Sequence, residues 1–206
     1  MASLKWPVNG QDVYSSSSTQ VHPLGTRGED TFGRTWRYCL AGAVDLVVGN
    51  AIQAQAQLAN HQEMTPSVAA VGATSISVTP GATAGAANLY ADGIAIIDTT
   101  PGVGYSYPIK GHPAIVASTL FAVTLKEGWA VVVALTATSR VTLVPNPYRD
   151  VIQSPVTTLT GAIVGVCQYI LTLAQYGWLG TGGHFGTLIQ GTPDVGELVG
   201  GPASAA

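Results

Sequence analysis

Polar and apolar residues alternate with a period of two over most of the chain. In Ala73-Thr-Ser-Ile-Ser-Val-Thr79, Ile76 and Val78 alternate with Ser75, Ser77 and Thr79, as in a strand with one buried face. Ile94 to Ile97 and Val103 to Ile109 flank Pro101-Gly102, a pair that presets one backbone angle and permits a positive one at the next residue; a hairpin is predicted. From Ala114 to Leu125, Phe121, Val123 and Leu125 share one face. Thr31 to Leu40 places Phe32, Arg34, Trp36 and Tyr38 on one side and predicts another strand. Ala43 to Val48, Gly128 to Leu135 and Ser139 to Val144 are read the same way, and a strand is expected through Gln55 with an irregular or short helical piece beyond it.

Thr160 to Gly180 is uncharged and about long enough to be a membrane helix. Gln168 and Gln175 would then sit in hydrocarbon, no Lys or Arg flanks the segment, and β-branched and aromatic residues dominate it. Two strands, Val164 to Ile170 and Thr172 to Trp178, are predicted instead, with a last one over His184 to Ile189. The fold class expected is all-β, an antiparallel β-sandwich or β-barrel with an extended N-terminal arm. The arm is residues 1–33, where Asn9-Gly10, Ser15 to Ser18 and Pro23-Leu-Gly25 leave hardly an apolar pair. A β domain follows over 34–200, and 201–206 form a small-residue tail. On or beside the arm, Trp6, Tyr14, Leu24, Arg27 and Arg34 are candidate anchors into pockets of a neighbour. The alternative for Trp6, Tyr14 and Leu24 is that they fold back onto their own domain.

Only 9% of the 206 residues are charged, against about 25% in an ordinary globular chain. Such a surface suits a subunit that covers much of itself with neighbours, and a closed homo-oligomer is expected. Eight Lys and Arg and a net charge of −3 argue against strong nucleic-acid binding, which needs clustered cations. Cys39 and Cys167 lie far apart with no CxxC, so neither a disulfide framework nor a zinc site is indicated, and the start lacks the apolar run of a signal peptide. An intracellular origin is expected.

Catalytic chemistry has no foothold in the sequence. His22, His61, His112 and His184 stand apart with no metal-ligand spacing, and the serine run on the arm has no base beside it. The glycine-rich patches lack the lysine and helix of a phosphate cradle. No catalytic, metal or cofactor site is expected, and no enzyme.

Several motifs in order, Pro23-Leu-Gly-Thr26, Phe32-Gly-Arg34, Arg37-Tyr38, Val71-Gly-Ala-Thr-Ser-Ile-Ser-Val-Thr79, Asn88-Leu-Tyr-Ala-Asp-Gly93, Tyr107-Pro-Ile-Lys-Gly-His112, Thr142-Leu-Val-Pro-Asn-Pro-Tyr148 and Tyr176-Gly-Trp178, carry a resemblance. Over about residues 23 to 190 the chain resembles small structural proteins of tailed bacteriophages that are encoded beside the major capsid protein. It departs at Leu179-Gly-Thr-Gly-Gly183, where the family pattern has a polar residue in place of Gly180. The resemblance implies a capsid decoration, or cement, protein. Such a protein is a β-rich subunit, often a homotrimer, made in the host cytoplasm and placed on the outer capsid surface of the virion. Its partners would be the major capsid protein and copies of itself, with no nucleic acid and no membrane. A receptor-binding or tail-associated adhesin and an internal head protein are the alternatives.

Overall fold

The computed structural model describes residues 4–6, 11–155 and 159–188. Along them run β1 (Leu4–Trp6), β2 (Arg27–Asp30), β3 (Thr35–Leu40), β4 (Ala51–Gln53), β5 (Thr65–Pro66), β6 (Ser75–Thr79), β7 (Ile94–Ile97), β8 (Ser106–Gly111), β9 (Phe121–Leu125), β10 (Val141–Val144), β11 (Ile152–Gln153), β12 (Ile163–Cys167) and β13 (Tyr176–Gly182). A single turn of 3-10 helix, Ala59–His61, is the helical piece expected beyond Gln55. The protein is all-β, with two antiparallel sheets. In place of one β domain over 34–200, two units form. The second, Gln57–Asn146, is inserted into a first made of Met1–Ala56 and Pro147–Ala206.

The second unit carries the sheet ordered β10-β7-β8-β9-β6-β5. Its edges meet: the Met64 N–H donates to the Val141 carbonyl and the Val141 N–H to that of Met64, each at 2.9 Å, which leaves the sheet nearly closed into a barrel. Alternation fills the interior, because every second residue of a closed sheet points inward. Ile76, Val78, Ala95, Ile97, Tyr107, Ile109, Val123, Leu125, Val141 and Leu143 are all buried in one cluster. The predicted hairpin about Pro101-Gly102 is β7 and β8, in register at Ile94↔Pro108, with Gly102 at φ 92°.

The first unit carries the sheet ordered β1-β2-β3-β13-β12-β4-β11. Both faces of its centre are covered. Val13, Leu24, Trp36, Tyr38, Leu40 and Trp178 form one buried cluster, and Cys39, Ala41, Leu46, Ile52, Val151, Cys167, Leu171 and Leu179 form another. The described part of the expected arm, residues 4–6 and 11–33, therefore belongs to this unit: β1 pairs with β2 and β2 with β3, and Val13 and Leu24 are core residues. The boundary expected after residue 33 falls inside the β2–β3 hairpin. The tail at 201–206 lies outside the described residues.

Three pairs of turns account for segments that alternate like strands yet are not strands. Leu46 bridges Leu171, Ala69 bridges Leu135 and Gly85 bridges Ile115, each pair exchanging two backbone hydrogen bonds. Three residues after five of these anchors, at Gly49, Gly72, Asn88, Ser118 and Ala174, φ is positive and the chain turns away. The N–H groups of these residues donate to the carbonyls of Cys167, Val131, His112, Gly81 and Gly42 respectively, so the pairs share one geometry. Ladder formation stops after one bridge because the left-handed residue ends the extended backbone. The strands expected over Ala43 to Val48 and Gly128 to Leu135 are such bridge-and-turn segments.

Candidate docking surface

Between β2 and β3 the chain reverses over Thr31-Phe-Gly-Arg34, with Gly33 at φ 75° and its N–H donating to the Asp30 carbonyl at 3.1 Å. Asp30 organises the reversal from inside. It is 3% exposed, yet each of its carboxylate oxygens has two donors. Oδ1 accepts from the Phe32 and Arg34 N–H groups at 2.9 and 3.1 Å, and Oδ2 from Arg34 Nε at 2.7 Å and Trp36 Nε1 at 3.2 Å. Burial alone would push the Asp30 carboxyl up; these hydrogen bonds, led by that of the Arg34 side chain, outweigh it and hold the group below the usual carboxylate range.

The consequence is a rigid tip. Phe32 stands at its apex, 84% exposed. The Arg34 guanidinium carbon lies 5.7 Å from the Phe32 ring centre, 5.3 Å from that of Trp36 and 5.4 Å from that of Phe185. Trp36 is fully buried and makes edge contacts with Tyr14 and Phe185, at 5.9 and 5.0 Å between ring centres. Arg34 Nη2 donates to the Tyr14 hydroxyl at 3.4 Å. Phe32, Arg34 and His184 line a shallow depression of about 420 Å³. An arginine fixed among aromatic rings loses little side-chain freedom on binding, and aromatic and arginine anchors dominate protein contacts.

Of the anchors named from sequence, the structure brings Tyr14 and Arg34 together here. Arg27 is exposed on β2, opposite Arg37 of β3. Trp6 lies on β1 opposite Glu29; its side chain is outside what the structure describes. Leu24 is a correction, since it is 6% exposed and packed in the core, the fold-back alternative. Sequence reading missed Phe32 as the apex, although Asp30-Thr-Phe-Gly carries the signature of a turn with an Asx bond. It also missed Phe185, whose ring seals the site from β13: a Cβ on Gly180 would come within 2.6 Å of it. That close approach leaves no room for a side chain at Gly180 unless the Phe185 ring moves.

A second depression, of about 570 Å³, lies beside this corner, with Tyr148 and Phe185 as walls and Gly165, Gly180 and Gly182 in its floor. Among the described residues no group of three His, Cys, Asp or Glu could hold a metal ion, and no helix is long and apolar enough to cross a membrane. Comparison with models of protein families, with curated proteins and with solved structures finds no match.

Proposed function

We propose that the protein is a non-enzymatic virion subunit that decorates a tailed-bacteriophage capsid, binding the outer surface of neighbouring major capsid proteins as a closed homo-oligomer, a trimer in the resembled family. The observation that carries the docking role is the hairpin tip, where Phe32 is held out in solvent while Arg34 is fixed among three rings by a buried carboxylate. An exposed phenylalanine braced in this way contributes little to its own fold and much to a surface that receives it. The sequence resemblance supplies the capsid as that surface.

A tail-associated adhesin is the second reading, favoured by the groove between Tyr148 and Phe185, since aromatic walls suit sugar rings. Among the described residues its lining offers hydroxyls of Tyr148, Thr181 and Thr187 but no carboxylate or amide side chain to bind sugar hydroxyls in pairs, which weighs against it. Electron microscopy of shells mixed with the wild-type protein and with Phe32→Ala and Arg34→Ala tests the proposal. Decoration by the wild type at regular capsomer positions, reduced tenfold or more in both variants, is expected. Bare shells at saturating wild-type protein would remove the capsid reading.

A further inference from the structure

The bridge between Leu46 and Leu171 sets two turns of the first unit side by side, and their outward residues are largely apolar. Because the pairing is antiparallel, Val47 and Val48 lie alongside Ile170 and Tyr169, and the Leu173 N–H, which donates to Asp45 Oδ1 at 2.7 Å, brings Leu173 beside Val44. Leu188 joins them through its N–H, which donates to the Gly49 carbonyl at 2.8 Å. All seven are between 38% and 68% exposed. Turn positions ordinarily take Gly, Pro, Asn, Asp or Ser. Two adjacent valines serve neither the turn nor the core, because Leu46 and Leu171 already fill the buried positions.

We propose that this face, residues 44–48 and 169–173 with Leu188, is where one copy of the chain binds a second copy; it deepens the homo-oligomer part of the reading above. Charge decides the occupant. Among the described residues of the face Asp45 alone is charged, and its carboxylate already accepts from Leu173. A typical protein surface is rich in Lys, Glu, Asp and Arg, and pressing such groups onto valine and isoleucine strips them of water without a partner. This chain, at 9% charged, offers a surface unusually free of that penalty, and a second copy carries the same neutral face. Seven half-exposed side chains present on the order of 300 Å² of apolar area, comparable with the largest patch on a typical monomer, which is often functional. A stable interface covers about 800 Å² per partner, so the face forms its apolar centre, with neutral surroundings as rim.

Sedimentation of the full chain, with Val47→Asp, Ile170→Asp and Leu173→Ser, tests the contact, and circular dichroism confirms that each variant is folded. The wild type is expected as a multimer of the 21.1 kDa chain at micromolar concentration. Each variant should dissociate with a constant raised roughly 30-fold or more. Val116→Asp, at an exposed turn of the second unit, should leave the mass unchanged. A monomeric wild type overturns the proposal, as do folded variants that keep the wild-type mass, or a Val116→Asp that dissociates equally. Shell binding on the same samples separates the two readings: a multimer that ignores shells leaves this contact standing and removes the capsid role.

Discussion

Cys39 and Cys167 sit on β3 and β12 with β13 between them, opposite Gly177 and Leu179 of that strand respectively. Two interstrand steps and an offset of two residues along β13 place their Cα atoms roughly 11 to 12 Å apart, beyond the span of about 7 Å that a disulfide bridges. Both thiols are free and buried, and burial pushes both up from the usual thiol range, so neither is a thiolate at neutral pH. Two free thiols per chain are therefore expected after exposure to air, unreactive to alkylation until the protein is unfolded. A cross-linked pair in non-reducing mass analysis would contradict this geometry.

Asp30→Asn should cost about 2 to 3 kcal/mol, because it removes the charge from four hydrogen bonds and leaves the Arg34 guanidinium without its carboxylate. The sign of the pH effect follows from the direction of the shift. The folded-state carboxyl lies below its unfolded value of about 3.9, so its contribution is complete above that pH and disappears as pH falls through the lower, folded value. Thermal unfolding of the wild type should drop more steeply than that of Asp30→Asn below about pH 4. Parallel curves would mean that Asp30 does not govern the hairpin.

Gly180→Ala separates the tip from the fold. The new Cβ meets the far edge of the Phe185 ring, which can swing aside, so the sheet should persist with a loss of about 1 kcal/mol. Once Phe185 leaves, Trp36 loses its edge contact and Arg34 one of its three rings. Shell binding should fall several-fold while the melting temperature drops by only about 2 to 4 °C. Unchanged binding would show that the ring plays no part in presenting the arginine.

Alternation made the barrel legible, since β6, β7, β8, β9 and β10 each bury every second residue and the Pro101-Gly102 reversal is local. The turn pairs were not legible. Ala43 to Val48 reads as a strand because Leu46 is buried, yet the positive φ that ends the ladder falls on Gly49, while at the corresponding positions Ser118 and Ala174 give no sign of it. The division into two units was hidden too, because the first is assembled from both ends of the chain. At the candidate site, Arg34 and Tyr14 carried a signal as anchor types, whereas the role of Asp30 depends on burial, which composition does not reveal.

Residues 11–33 supply β2 and two core side chains, so removing the chain up to Thr31 should not leave a folded first unit. Leu24→Ala alone should cost about 2 to 5 kcal/mol, the range for emptying a buried leucine site. Chemical denaturation read at tryptophan, with Trp36 and Trp178 in the same cluster, checks both changes. A truncated chain that keeps the wild-type midpoint would restore the picture of a dispensable arm.

Residues 57–146 should fold without the rest of the chain. The segment is continuous, its sheet returns to its own first edge through Met64 and Val141, and Ala69 with Leu135 adds a second tie. Its buried polar groups are matched internally. Tyr90 bonds His61 Nδ1 at 2.6 Å through its hydroxyl and donates its backbone N–H to His112 Nε2 at 3.0 Å, while His61 Nε2 donates to the Thr83 carbonyl at 2.9 Å. A chain of this length buries roughly 60 to 70% of its unfolded surface, enough for domains that fold alone. The isolated fragment should show a β circular dichroism spectrum and a single cooperative melt. A fragment beginning at Ser67 lacks β5 and the Met64 bridge, exposes the edges of β6 and β10, and should lose cooperativity or aggregate. If the longer fragment melts without cooperativity, closure at Met64 and Val141 is insufficient and the second unit needs the first to fold.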